Sequence, residues 1–188
     1  TPWTTQPQVA CEIDSSSGFD YAYVPGFGVV TGANTAPVLN GSASIKPSAL
    51  GRQVNLPSGS YVSIIPAAKI PASQGTILIC GNAVQGDWGT VTGNTNERFG
   101  GHIPYAGTVY FDWGGYTAGV TRLSVTPPTF SNDDRWVFSN GSRGMEIWQN
   151  GKLLASQAAN PSFTPASNTI ELGRYGGSTG QTANYWLF

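Results

Sequence analysis

Charged side chains are scarce in this chain. Only 10% of its 188 residues are Asp, Glu, Lys or Arg, and the formal net charge is -1, whereas about 25% is usual for a globular domain. A surface with so little positive charge excludes binding to a nucleic-acid backbone. Long apolar runs are also missing, and none approaches the roughly 20 residues of a membrane helix. We therefore expect neither nucleic-acid binding nor membrane insertion.

The shortage of charge also limits the chemistry available for catalysis. One histidine, His102, would be the sole general base of its kind, and no Gly-x-Ser-x-Gly elbow accompanies it. Retaining glycoside hydrolysis needs two carboxylates about 5 Å apart, and the sequence approximates such a run only in Glu12-Ile13-Asp14, where Ser16 replaces the third carboxylate. Asp133 and Asp134 are adjacent, which favours a loop-end or capping role. The sequence predicts a protein that is not an enzyme.

Cysteine is rare as well. Cys11 and Cys80 leave two alternatives, a disulfide across a long loop or two free thiols, and free thiols are favoured because Cys80 ends an apolar run. Two distant cysteines and one histidine provide no ligand spacing for a transition metal, so we expect no cofactor. Calcium is the metal left open, with Asp87 and Asp112 as candidate oxygen ligands; the alternative for each is an ordinary cap or turn.

Glycine, proline and aromatic residues are abundant, with 25 Gly, 13 Pro and 12% aromatics. Apolar residues recur with period two between short polar breaks, which indicates strands and gives no helical stripe. Asn150-Gly151 joins two such runs and predicts a two-residue hairpin. We predict twelve strands: Tyr21–Val24, Ser42–Lys46, Tyr61–Ile65, Thr76–Cys80, Glu97–His102, Thr108–Trp113, Thr121–Val125, Asp134–Ser139, Met145–Gln149, Lys152–Gln157, Thr169–Arg174 and Asn184–Phe188.

Four segments, in this order and spacing, resemble the laminin G-like, or concanavalin A-like, jelly-roll domains. They are GTILICG at 75–81, DRWVF at 134–138, the hairpin IWQNGKL at 147–153 and IELGR at 170–174. The resemblance implies an all-β fold, an antiparallel two-sheet jelly-roll sandwich spanning residues 21–188. Residues 1–20 would form an N-terminal arm and first strand region, with a single domain overall.

A narrower similarity is to the laminin G-like proteins of tailed-phage virions. It is carried by the opening PWTTQPQ at 2–8 and by HIPYAGTVYFDWGG at 102–115. It implies a homo-oligomeric virion structural protein at the particle surface, decorating the capsid or tail and contacting neighbouring subunits. Trp3 is then a candidate subunit contact; the alternative is an arm folded over its own sandwich. Because such domains usually continue through another strand after residues 185–188, we expect an exposed strand edge near the C-terminus.

Aromatic residues concentrate between residues 84 and 116 among glycine, asparagine and threonine. Exposed aromatic rings stack on the C–H faces of sugars while neutral or acidic groups bind the hydroxyls. Trp88 is the first candidate platform because it stands beside Asp87 in a loop-like stretch. The alternative for each ring is a place in the core or a subunit contact. The remaining glycan-binding candidates are Asp87, His102, Tyr105, Trp113 and Tyr116.

The sequence leaves three functional interpretations open. The first is a non-enzymatic virion structural protein that binds neighbouring subunits and surface glycans. The second is a secreted, extracellular bacterial carbohydrate-binding module, and the least favoured is an atypical glycoside hydrolase. In each of the first two, the sparse charge predicts neutral partners and a weak dependence of binding on salt.

Overall fold

The computed structural model describes residues 11–14, 18–24, 28–30, 38–48, 51–64, 72–83, 86–90, 98–131, 134–164, 169–175, 178–179 and 183–186. In these residues the secondary structure is entirely β. The strands are β1 Cys11–Asp14, β2 Gly18–Val24, β3 Gly28–Val30, β4 Val38–Asn40, β5 Ser44–Ser48, β6 Gly51–Leu56, β7 Tyr61–Ile64, β8 Gly75–Ala83, β9 Asp87–Thr90, β10 Phe99–Tyr105, β11 Thr108–Trp113, β12 Arg122–Val125, β13 Arg135–Gly141, β14 Gly144–Gln149, β15 Lys152–Gln157, β16 Ile170–Leu172, β17 Arg174–Tyr175, β18 Ser178–Thr179 and β19 Ala183–Trp186.

Two seven-stranded antiparallel sheets form the body of the fold, and the predicted all-β two-sheet sandwich is confirmed. Sheet I has the strand order β12-β11-β10-β9-β16-β7-β4, and sheet II has the order β15-β14-β13-β8-β19-β6-β5. β1, β2 and β3 form a separate three-stranded sheet, and β17 pairs with β18. The described residues contain no helix with the length and hydropathy of a membrane span.

Side chains that alternate inward from the two sheets build the core. On β11, Val109, Phe111 and Trp113 are buried, as the alternation of Thr108–Trp113 predicts. The ring of Phe138, from sheet II, lies 5.0 Å from Trp88 and 5.4 Å from Phe111, both from sheet I. The sandwich is therefore closed by aromatic contacts between the two sheets.

The predicted hairpin at Asn150-Gly151 is confirmed. Gln149 pairs with Lys152 across the turn, and the turn residues have φ angles of 51° and 81°, which fit a type I′ turn. Asp134 fixes the base of this hairpin. Its Oδ1 accepts a hydrogen bond from Asn150 Nδ2 at 2.8 Å, and its Oδ2 accepts one from the Ser131 backbone N–H at 2.8 Å. The predicted capping role of Asp134 is thus confirmed, while Asp133 lies outside the described residues.

The structure differs from the predicted strand set in two respects. Six strands were not predicted, namely β1, β3, β4, β6, β9 and β18. None of them contains more than two apolar residues, which is too few to establish a period-two pattern. The strand near the C-terminus, β19, lies between β6 and β8 and pairs with both. The expected exposed edge is therefore wrong for this strand, because the edges of sheet II are β15 and β5.

Candidate ligand-binding face

The outer face of sheet I carries a group of polar and aromatic side chains. On β10, His102 lies opposite Asp87 of β9 and Tyr110 of β11. On β11, Asp112 lies opposite Arg122 of β12. Because the neighbouring positions on β11 point into the core, strand alternation directs Tyr110 and Asp112 to the opposite, outer face.

His102 and Asp87 form the first polar pair on this face. His102 Nδ1 lies 2.6 Å from Asp87 Oδ1, and a carboxylate partner at Nδ1 fixes the orientation of an imidazole ring. Strict alternation would place Tyr105 on the other face from His102. A register shift between these two residues brings their rings together, with centroids 5.3 Å apart. Tyr105 is 48% exposed, so this end of the face is open to a ligand.

Asp112 is the second polar centre, and its side chain is fully buried. Arg122 binds it with two hydrogen bonds, from Nε to Oδ1 at 2.5 Å and from Nη2 to Oδ2 at 2.6 Å. Arg98 Nε lies 3.6 Å from Oδ2. A buried carboxylate is strongly destabilising unless it is paired and hydrogen-bonded. The guanidinium groups of Arg122 and Arg98 pair with the buried carboxylate, and the carboxylate in turn holds both groups in place.

A series of planar groups in contact with one another runs across the face, and we call it the planar ribbon: Tyr105, His102, Tyr110, Arg122, Tyr116 and Arg98. The rings of His102 and Tyr110 are 5.7 Å apart. The Arg122 guanidinium lies 4.8 Å from the Tyr110 ring and 5.5 Å from the Tyr116 ring. Arg98 lies 5.2 Å from the Tyr116 ring, and Tyr116 is 46% exposed. The planar ribbon thus has a half-exposed tyrosine near each end.

A third polar centre lies on the same face at β16. Glu171 Oε1 accepts a hydrogen bond from Ser63 Oγ at 3.3 Å, and Arg174 Nε lies 3.6 Å from Oε2. The Arg174 guanidinium also stacks on the Tyr61 ring at 4.8 Å. Burial raises the pKa of the Glu171 carboxyl, while the Arg174 charge and the Ser63 hydrogen bond oppose that rise.

These three centres hold a large share of the charge in a weakly charged chain. They contain three of its ten acidic residues, three of its nine basic residues and its one histidine. Burying so many ionisable groups costs free energy. Stabilisation of the fold therefore does not by itself explain why they are gathered here. A rigid, pre-arranged polar surface is the arrangement that ligand recognition requires. The groups concerned are Asp87, Asp112, Glu171, Arg98, Arg122, Arg174 and His102.

Four of the sequence-predicted candidates, Asp87, His102, Tyr105 and Tyr116, lie on this face. Trp88 and Trp113 do not, because both belong to the core. The expectation that Trp88 stands in a loop is wrong. It lies on β9, which pairs with β10 and β16, and alternation on that strand directs its ring inward. The alternative that these two tryptophans fill the core is therefore the correct one.

The calcium interpretation of Asp87 and Asp112 finds no support in their surroundings. Asp87 is bonded to an imidazole and Asp112 to two guanidinium groups, which are partners for an anion rather than co-ligands of a cation. In the described part of the chain, no three His, Cys, Asp or Glu residues gather into a metal-binding group. Cys11 and Cys80 lie on β1 and β8, and their state stays a prediction. Trp3 lies outside the described residues.

Seven residues that the structure places on the face were not predicted as site residues: Tyr110, Arg98, Arg122, Glu171, Arg174, Ser63 and Tyr61. The alternation of β11 already places Tyr110 outward beside Asp112 in the sequence. The positions of the arginines depend on pairing between strands, which the sequence alone does not reveal. The arginines are nevertheless a detectable signal, because the chain has few cationic residues. Arg98 lies within the predicted aromatic segment, and Arg122 follows it closely.

Comparison with known proteins shows the fold and no family. No family model matches the chain, and no curated protein matches it. HCR/D, solved as a tryptophan-to-alanine mutant, is similar over 96% of this chain with a TM-score of 0.63 and 13% identity, and this chain spans 46% of its length. Domain 4 of AbnA, a GH43 extracellular arabinanase from Geobacillus stearothermophilus, was solved in complex with arabinotriose. It has a TM-score of 0.55 and 12% identity, covering 82% of this chain and 84% of that one. The carbohydrate-binding module CBM66 from Bacillus subtilis has a TM-score of 0.43 and 10% identity, covering 81% and 93%.

Proposed function

We propose that this domain binds a neutral glycan on the outer face of sheet I, across the planar ribbon. The observation that carries the proposal is the continuous series of ring–ring and arginine–ring contacts, with half-exposed tyrosines near its two ends. Tyrosine rings offer the apolar faces on which sugar C–H groups stack, and tyrosine hydroxyls bind sugar hydroxyls. The arginines and carboxylates behind the rings hold them in one arrangement before a ligand arrives.

The charge balance of the face favours a neutral ligand. Each buried carboxylate already has a cationic or imidazole partner, so an added charged group would have to compete with an existing ion pair. Asp112 is fully buried and bonded twice to Arg122, which suits it to positioning its neighbours rather than to transferring protons. We therefore propose a binding domain without catalytic activity. That a structural neighbour is described in complex with arabinotriose supports an oligosaccharide as the first probe.

The binding experiment begins with a panel of neutral oligosaccharides, including arabinotriose and short glucans, xylans and mannans, titrated by calorimetry. Replacing Tyr105 or Tyr116 by Ala should weaken binding about two- to tenfold, since an aromatic stacking contact contributes about 0.5–1.5 kcal/mol. Phe130→Ala is the matched control, because Phe130 is also a partly exposed aromatic but packs on Trp136, away from the planar ribbon.

Two results would overturn the proposal. One is a protein that binds none of the panel, particularly if it is isolated as symmetric copies on a virion, which would favour the structural role. The other is a glycan that binds equally well to the wild type and to both tyrosine variants. A role at a virion surface is a separate question from glycan binding. It would be tested by looking for contacts between this domain and neighbouring subunits of a virion.

A further inference from the structure

The opposite side of the sandwich carries a polar groove of about 360 Å³. It lies where β8 begins and where the turn joins β13 to β14. The side chains of Phe138, Met145 and Ile147 point from these strands into the core, so the alternate positions Thr76, Ser139 and Glu146 face outward. The polar residues that line the groove include Gln74, Thr76, Ser139, Ser142, Arg143 and Glu146.

Glu146 is the most constrained group in this groove. Its Oε2 accepts hydrogen bonds from Ser139 Oγ at 3.2 Å, Arg143 Nη2 at 3.0 Å and Trp148 Nε1 at 3.1 Å. The carboxylate is nearly buried, and no described residue donates to its Oε1. Three donors on one oxygen hold the carboxylate in a single orientation. Oε1 is left as an acceptor for a donor that comes from outside the protein.

An apolar row lies directly beside this polar groove. Val137 pairs with Leu78 on one side and Trp148 on the other, and Trp148 pairs with Leu153. Leu78 is 55% and Leu153 is 41% exposed. The row crosses four adjacent strands, β8, β13, β14 and β15. Three spacings between neighbouring strands give the row a length of about 14 Å. Apolar side chains aligned on an open sheet face, next to fixed polar groups, are the features of a binding surface.

The charge and polarity of this face indicate which class of ligand it would bind. Arg143 forms an ion pair with Glu146, so the groove has no unbalanced charge to attract an ion. The ligand must present apolar C–H groups to one row and hydroxyl groups to the adjacent row, and a neutral saccharide presents both. We propose that the outer face of sheet II is a second saccharide site, in which the Leu78–Trp148 row supports the sugar and Glu146, Ser139 and Arg143 bind its hydroxyls.

This second site extends the proposed glycan binding to the other outer face of the domain, and it is formed by different residues. With one site on each outer face, a single domain would hold two glycan chains at once. Such a domain would cross-link soluble polysaccharide, whereas a domain with one site would only coat it. An oligosaccharide that spans the 14 Å row should also bind more tightly than a monosaccharide.

The test is an NMR titration of the full chain with arabinotriose and with the neutral trisaccharides of glucose, xylose and mannose. The indole N–H resonance of Trp148 reports on the groove, and the ring resonances of Tyr105 and Tyr116 report on the planar ribbon. We expect at least one trisaccharide to shift the Trp148 resonance with saturation. Arg143→Ala should weaken that effect about fivefold without unfolding the protein, because the Arg143 side chain is 75% exposed. Glu146→Gln is the second variant, and Tyr105→Ala is the control that should leave the Trp148 titration unchanged.

The outcomes separate the two proposals. Tyrosine shifts with an unmoved Trp148 resonance overturn the second site and leave the planar ribbon standing. Trp148 shifts with unmoved tyrosines support the second site and overturn the first. If no trisaccharide shifts either set, both fail. A Trp148 resonance that moves on dilution without sugar would identify this face as a contact between copies of the chain and would also overturn the saccharide site.

Discussion

Glu171 shows how a single residue on the candidate face should respond to pH. Burial raises the pKa of its carboxyl above the ordinary value near 4.5, so the folded protein binds this proton more tightly than the unfolded chain. The stabilisation from that proton is complete below the unfolded pKa and disappears as pH rises through the folded pKa. At neutral pH the buried charge of Glu171 is therefore destabilising.

Glu171→Gln should consequently stabilise the fold at pH 7. Glutamine stays neutral at every pH and keeps an oxygen for the Ser63 hydroxyl. The difference in the free energy of unfolding between variant and wild type should grow from pH 4 to pH 7, as measured by urea denaturation at each pH. A variant that is less stable than wild type at pH 7 would mean that the ion pair with Arg174 outweighs the cost of burial.

Trp88 shows where a local sequence pattern fails to predict whether a side chain is exposed or buried. Its neighbours Asp87 and Gly89 are typical of a loop, and that local signal indicated an exposed ring. The residues are held in a strand because β10 and β16 bind their backbone on both sides, and neither partner is close in sequence. Phe111 was placed correctly because it lies in a regular alternating strand, where local pattern alone decides the direction of each side chain.

At the scale of elements, the hairpin of β14 and β15 supplies a direct test of turn chemistry. Gly151 has a φ of 81°, and a Cβ added there would meet nothing within 4 Å. Gly151→Ala should therefore destabilise the protein by about 1–2 kcal/mol through backbone conformation alone. The change should appear as a lower urea midpoint with an unchanged slope.

Gly141→Ala is the matched control for this turn. A Cβ at Gly141 also meets nothing within 4 Å, but its backbone lies outside the left-handed region, so the substitution should be close to neutral. Equal effects of the two substitutions would contradict the conformational explanation.

Elements also show which parts of the site were predictable. The hairpin and β11 followed from turn residues and period-two alternation, since both signals are local. The convergence of His102, Asp87, Tyr110 and Arg122 required the register of four strands. Register is determined by long-range pairing, so the arginine and carboxylate pairs behind the planar ribbon could not be read from the sequence.

For the whole molecule, the low charge content was the most informative property of the sequence. It predicted neutral partners, and in the structure six of the nineteen charged residues lie in ion pairs on the candidate face. Because these charges already neutralise one another, binding of a neutral glycan should change less than twofold between about 50 and 500 mM salt. Affinity that falls steeply with salt would indicate an ionic ligand instead.

The central claim is that a neutral glycan binds on the planar ribbon. Its most direct test is chemical-shift mapping of the wild-type chain at saturation with the tightest-binding neutral oligosaccharide, followed by the same titration of the Tyr105→Ala/Tyr116→Ala double variant. We predict that the resonances of Tyr105, His102 and Tyr116 move in the wild type and that their neighbours on the ribbon stop responding in the double variant. A bound oligosaccharide that leaves every resonance of this face unmoved would contradict the claim.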